Sequence, residues 1–152
     1  MSPRLNFLKL SPAAYRAMAS MEQYLSNCGL EKSLRELVKL RSSQINGCAY
    51  CIDMHWKDAR AGGETEQRLY GLDAWAESPY YTDRERAALA WTEALTLITA
   101  GHAPDSVYEK LKPHFLEKEI SDLTWLICTI NSWNRIAIGL RSPPGSYQPP
   151  EK

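Results

Sequence analysis

Leu40-Arg41-Ser42-Ser43-Gln44-Ile45-Asn46-Gly47-Cys48-Ala49-Tyr50-Cys51-Ile52-Asp53-Met54-His55 is the stretch on which the reading of this chain turns. Leu34, Leu37 and Val38 lead into it at helical spacing, which predicts a helix over about 33–45. Asn46-Gly47 is a break. A new helix is expected to begin near Cys48 and to stop before Gly62-Gly63. On it, residues i, i+3 and i+7 fall within about 60° of one another. Cys48, Cys51 and His55 therefore share a face. Residues i and i+3 of a helix are about 5 Å apart at Cα, a separation a disulfide spans. The free N–H groups and positive dipole end of the helix favour a thiolate at its start, and a neighbouring imidazole can take the thiol proton.

From the residues alone, three readings of this pattern stand. The first is thiol redox chemistry. The second is a zinc half-site, for which Cys48, Cys51 and His55 offer three ligands. A closed site needs four, and no second Cys-x-x-Cys or His-x3-His follows. The third is a pair of inert buried cysteines. Haem attachment is excluded, because Ile52 rather than His follows the second Cys.

Outward from this stretch the pattern is helical throughout, so the fold class is all-α. Ser11-Pro12 reads as a helix start. Tyr15, Met18, Met21 and Leu25 then mark one face, and Gly29 ends it. A short helix is expected from Glu64 to about Leu72. Thr82-Asp83-Arg84-Glu85 has capping-box spacing and opens a helix with Ala88, Trp91, Leu95 and Ile98 on one face, expected to end near Gly101. A short helix follows from Pro104 to about His114. The last runs from Glu117 to about Leu140 and is apolar around most of its circumference, as a helix buried within the subunit or against a neighbour would be. No run alternates with period two. From Arg141 onward, Pro143, Pro144, Pro149 and Pro150 mark a tail without a packing pattern, expected to be disordered or laid on a partner subunit.

The chain has 152 residues, 44% hydrophobic and 24% charged, which suggests one domain over 1–140 with its core motif region at about 34–101 and the tail at 141–152. Eighteen basic and eighteen acidic residues leave no net charge, and no basic stripe points to nucleic acid. The first residues lack the apolar segment of a secretory signal, and no stretch is apolar enough to span a membrane. The expectation is a cytoplasmic protein, where four cysteines are too few for a disulfide scaffold and a Cys-x-x-Cys pair serves catalysis or metal binding. Cys28 and Cys128 stand singly on helical patterns and are expected to pack, and Trp91, Trp125 and Trp133 are expected to pack in the core or at a subunit interface. Trp56 is expected to pack too, or to wall the site beside His55. His102 and His114 read as surface or capping residues.

The stretch at 40–55 closely resembles the core of the AhpD-like alkylhydroperoxidases of the carboxymuconolactone decarboxylase superfamily. The resemblance continues through Lys57-Asp58-Ala59-Arg60 and Gly62, through residues 82–93, and through Ile120-Ser121-Asp122-Leu123 and Asn131-Ser132-Trp133-Asn134-Arg135. It implies an all-α fold with the Cys pair at the start of a core helix, and homo-oligomers, often trimers or hexamers. It implies reduction of hydroperoxides by the Cys pair without a bound cofactor, and recharging by a dithiol partner such as a lipoyl or thioredoxin-like protein. The family motif carries a Glu twelve residues before the first Cys and a His four after the second. Here these are Glu36 and His55, implied to relay protons to the thiols. Read without the resemblance, Glu36 is a helix-surface carboxylate near Arg35 and Lys39.

The chain departs from the pattern at Tyr50, where the established peroxidases have a His. A phenol donates a hydrogen bond but is a poor base near neutrality. The dipole argument makes Cys48 the more exposed thiol. The resemblance and the proximity of His55 make Cys51 the one that attacks peroxide. Two other functions stay open: a dithiol oxidoreductase or redox or zinc sensor, and a non-redox enzyme of the decarboxylase type.

Overall fold

The structure is a computed structural model and describes residues 2–150. Its helices are α1 (Phe7–Leu10), α2 (Pro12–Ser26), α3 (Lys32–Asn46), α4 (Ala49–Ala61), α5 (Glu66–Tyr70), α6 (Asp83–Thr96), α7 (Ile98–Gly101), α8 (Asp105–Tyr108) and α9 (Glu117–Leu140), with a 3-10 turn at Leu72–Ala74 after α5. There is no strand among the described residues, in agreement with the all-α reading. None of the helices is long and apolar enough to cross a membrane.

Helix α3 is the axis. It packs against α4, α6 and α9, and two of its faces enter separate clusters. Leu34 and Val38 join Leu25, Ala88, Trp91, Leu123, Leu126 and Ile127. Leu37 and Leu40 join Ala59, Leu69, Leu72, Tyr81 and Leu89. Leu37 and Val38 have no exposed surface, and each such side chain contributes about 1.5–3 kcal/mol over an exposed one. Burying two faces of one helix, roughly 110° apart, fixes its rotation and with it the direction in which Glu36 points.

The hinge from α3 to α4 is where the break was read. Gly47 is left-handed, with φ 68°. The Cys48 N–H closes on the Ser43 carbonyl at 3.0 Å, and the Gly47 N–H on that of Gln44 at 3.1 Å. This satisfies carbonyls at the helix end that would otherwise lack donors. A buried polar network ties the hinge to α9. Asn46 Nδ2 donates to Asn131 Oδ1 and to Asn134 Oδ1, both at 2.9 Å. Asn134 Nδ2 donates to Ser43 Oγ at 3.0 Å, and Asn131 Nδ2 to Thr96 Oγ1 at 3.0 Å.

The boundaries of α3, α4 and α9 and the capping box of Thr82 and Glu85 agree with the sequence reading. Other expectations are corrected. The expected helix to Gly101 ends at Thr96, because Leu97 leaves helical geometry at φ −97°, ψ 42° before α7 begins. The helix expected to reach His114 stops at Tyr108, followed by turns. Pro113 disfavours helical backbone at the residue before it. The short helix expected from Glu64 to about Leu72 runs from Glu66 to Tyr70, where Thr65 caps it by accepting the Arg68 N–H. Ser11 precedes Pro12 but makes no side-chain cap bond.

Helix α9 is not buried all round within the subunit. Trp125 and Ile138 are exposed, and so is Cys128, against the expectation that it packs. Cys28 does pack, half-buried against the first cluster. Part of the tail packs on its own chain. Tyr147 and Gly145 fold back onto α4 of the same chain, where Lys57 Nζ donates to the Tyr147 carbonyl at 3.0 Å and Asp53 Oδ2 accepts the Gly145 N–H at 3.1 Å.

Candidate active site

Cys48 is the N-cap of α4, and its Sγ accepts the Cys51 N–H at 3.4 Å. The two cysteines are joined as a disulfide, with Cα atoms 5.3 Å apart, as the i to i+3 step requires. Both are buried, Cys48 at 1% exposure and Cys51 at 4%. The dipole argument for a more exposed Cys48 therefore fails. Being first on the helix places Cys48 in the crevice beneath α9, packed against Ala137, rather than at the surface.

Cys51 lines a cavity of about 380 Å³, whereas Cys48 is not among its walls. The walls are largely apolar: Phe7 and Leu8 of α1, Tyr15 of α2, Met54 of α4, and Ile130, Trp133 and Ile136 of α9. Trp133 is held by its Nε1–H, which donates to Glu22 Oε1 at 3.1 Å. Trp56 takes the packing alternative, against the second cluster and under the Arg60 guanidinium. His102 is the left-handed cap that ends α7, and His114 closes a turn onto Leu111. Neither lines the cavity.

His55 lies one turn after Cys51, is 7% exposed, and also lines the cavity. Glu36 crosses from α3 to meet it: His55 Nδ1 and Glu36 Oε2 are 2.9 Å apart. Burial alone would raise the Glu36 carboxyl. The hydrogen bond and charge of His55, with Lys39 and Lys32 nearby, bring it below its ordinary value instead. The carboxylate is then the acceptor and Nδ1 the donor, which leaves Nε2 free to take or give a proton. Glu36 is thus not the surface carboxylate that α3 taken in isolation suggests. Tyr50 lines the cavity as well. Burial, followed by the influence of Tyr15 and Asp53, raises its phenol, so it is a hydrogen-bond donor there and not a base.

Two residues of this arrangement were not singled out by sequence reasoning. Asp58 lies one turn beyond His55 on the same helix, a position that the i to i+3 rule could have flagged. One nitrogen of His55 and one oxygen each of Glu36 and Asp58 lie within 4.8 Å of one another. The three are engaged among themselves and with the tail: Glu36 with His55, and Asp58 with the Tyr147 hydroxyl, which donates to Oδ1 at 2.7 Å. They stand as two hydrogen-bonded pairs side by side, Glu36 with His55 and Asp58 with Tyr147. Nothing in the local pattern around Tyr147 signals that it returns to the site.

Comparisons with known proteins bear on the family and the fold. The model of the carboxymuconolactone decarboxylase family matches residues 12–94. The uncharacterised protein YdfG of Bacillus subtilis is 45% identical over 140 residues, covering 92% of this chain and 95% of its own. A crystal structure of a protein of unknown function from Agrobacterium tumefaciens, suggested to be the antioxidant defence protein AhpD, superposes with TM-score 0.90 at 45% identity, over 99% of this chain and all of that one. An uncharacterised peroxidase-related protein with an AhpD core, from Ralstonia eutropha, shares the fold at TM-score 0.80 and 21% identity, over 91% of this chain and 74% of its own.

Proposed function

The chain belongs to the carboxymuconolactone decarboxylase family and has the AhpD-like fold, and from that premise we propose that it is a thiol peroxidase that reduces organic hydroperoxides in the cytoplasm. The observation that carries the reading is the meeting of three features at one point. A Cys pair joined as a disulfide, a largely apolar cavity reaching Cys51 but not Cys48, and the buried pair of His55 with Glu36 of α3 meet along the first two turns of helix α4.

In the proposed cycle His55 Nε2 takes the proton of Cys51, with Glu36 holding the ring in the tautomer that leaves this nitrogen free. The Cys51 thiolate attacks the terminal oxygen of the hydroperoxide. The O–O bond breaks, the alcohol leaves with the proton returned by His55, and Cys51 becomes a sulfenic acid. Cys48 then attacks the Cys51 sulfur. The S–S bond forms and water leaves, carrying the Cys48 proton. A dithiol partner reduces the disulfide by exchange and becomes oxidised itself. Tyr50 donates a hydrogen bond to the departing oxygen. The apolar walls from α1 and α9 suit a substrate with a hydrocarbon body. Assembly of the chain into a trimer or hexamer is part of this proposal.

The test is turnover of cumene hydroperoxide by the purified protein with dihydrolipoamide as reductant, for wild type and Cys51→Ser. Consumption by the wild type and none by the variant supports the reading. No consumption by either, with the Cys48–Cys51 disulfide still opening and closing, overturns it in favour of a dithiol oxidoreductase or redox sensor.

A further inference from the structure

The family match ends at residue 94, yet the cluster around His55 is completed by a residue fifty positions further on. We propose that Tyr147, carried by the C-terminal tail, is a positioning residue of the reaction centre that holds the Asp58 carboxylate beside the Glu36–His55 pair. The inference rests on the reading that this pair serves the Cys51 thiol.

Glu36 and Asp58 are two carboxylates close to one imidazole. Like charges at that distance repel. Glu36 is held by His55. Asp58 is partly exposed and, without a donor, would turn toward water. The Tyr147 hydroxyl supplies that donor at 2.7 Å. The phenol keeps its proton throughout the working range, because burial, then the Asp58 hydrogen bond and charge, then Glu36 and Tyr50 all raise it well beyond its ordinary value. It therefore acts as a fixed donor and not as a base.

The tail is fastened for this purpose at the residues around Tyr147. Lys57 Nζ holds the carbonyls of Gly145 and Tyr147, and Asp53 holds both the Gly145 N–H and Lys57. Three successive contacts on one face of α4 fix a side chain that its own stretch of sequence, without secondary structure, could not fix. An anion held nearer the imidazole than the thiol favours passage of the Cys51 proton to that ring. The other titratable groups facing the site are Tyr15 and Glu22 of α2, Lys32 and Lys39 of α3, and Tyr50 of α4. The α9 wall facing the cavity is uncharged. None of these groups bonds to Asp58.

The experiment reads the Cys51 thiol directly and involves no peroxide, so it stands apart from the turnover test. In a Cys48→Ser background, the pH profile of Cys51 alkylation by iodoacetamide is followed by peptide-resolved mass spectrometry, with and without Tyr147→Phe. The midpoint is expected to rise by roughly half a unit to one unit, as for a charge moved away from an ion pair. Asp58→Asn should raise it similarly, and Tyr147→Phe should add nothing in the Asp58→Asn background. An unmoved midpoint in Tyr147→Phe overturns the proposal. So does an equal shift with Asp58 already removed, which would mean that the phenol acts by a route other than Asp58.

Discussion

Glu36 and His55 are nineteen residues apart in sequence and 2.9 Å apart in space, joined across the hairpin of α3 and α4 at a point where both side chains are buried. Replacing Glu36 by Gln keeps the shape but removes the charge that fixes the imidazole tautomer. Peroxidase kcat/KM is expected to fall by about 10- to 100-fold, measured by steady-state turnover of an organic hydroperoxide. An unchanged value would remove Glu36 from the relay.

The same pair gives a pH-dependent part of stability. The folded Glu36 carboxyl lies below its ordinary value of 4.5. A depressed carboxyl stabilises the fold above the unfolded value, and the contribution is lost as pH falls through the folded one. The stability gap between wild type and Glu36→Gln should therefore be full at neutral pH and narrow below about pH 4.5. Urea unfolding at pH 7 and at pH 3.5 measures it. A gap that widens on acidification would contradict the assignment.

The burial of Cys48 away from the cavity bears on the order of events at the two thiols. After one equivalent of hydroperoxide, Cys48→Ser should carry a sulfenic acid that dimedone traps at Cys51. Cys51→Ser should give no adduct at Cys48. Trapping confined to position 48 would reverse the roles.

At the hinge, Gly47 adopts φ 68° with open space where a side chain would project. Gly47→Ala meets no clash, so only the left-handed backbone opposes it, at a cost of about 1–2 kcal/mol. Denaturant titration should show that loss with an unchanged m-value. No loss would mean that the hinge relaxes to another conformation.

Asn134 is fully buried and bridges Asn46 to Ser43. Asn134→Ala takes one acceptor from half-buried Asn46, which keeps Asn131, and one donor from buried Ser43, which keeps its bond to the Lys39 carbonyl, so a loss of about 1–3 kcal/mol is expected. A variant as stable as wild type would show that water replaces the amide.

Much of this arrangement was legible beforehand. Helical spacing and the Asn46-Gly47 break place α3, the hinge and α4 nearly to the residue, because apolar periodicity and turn chemistry are local signals. The Cys48, Cys51 and His55 face follows from the same periodicity. Glu36 was legible only through the resemblance: a carboxylate on a helix gives no local sign of which neighbour it meets. Asn131 and Asn134 stand in an apolar run as polar interruptions, and their partners on α3 are set by tertiary packing. The fate of the tail was not legible, because Tyr147 and Gly145 are held by Lys57, Asp53 and Asp58, nearly a hundred residues earlier. Nor was the exposure of Cys128 and Trp125, since an apolar residue on a helix does not say which side the protein lies on.

The cavity draws its reactive floor from the middle of the chain and its walls partly from the two ends. Phe7 and Leu8 come from α1, whose approach is tied to the end of α9 by Arg4, through its N–H to the Leu140 carbonyl and its guanidinium to that of Gly139. The hydrophobic clusters around α3 owe nothing to these end segments. The segment before α2 can therefore be exchanged, lengthened or resculpted by evolution at small cost to folding. A lineage could retune which molecules enter while inheriting the chemical machinery intact, and swapping residues 2–10 between relatives is a direct way to move one member's preference onto another.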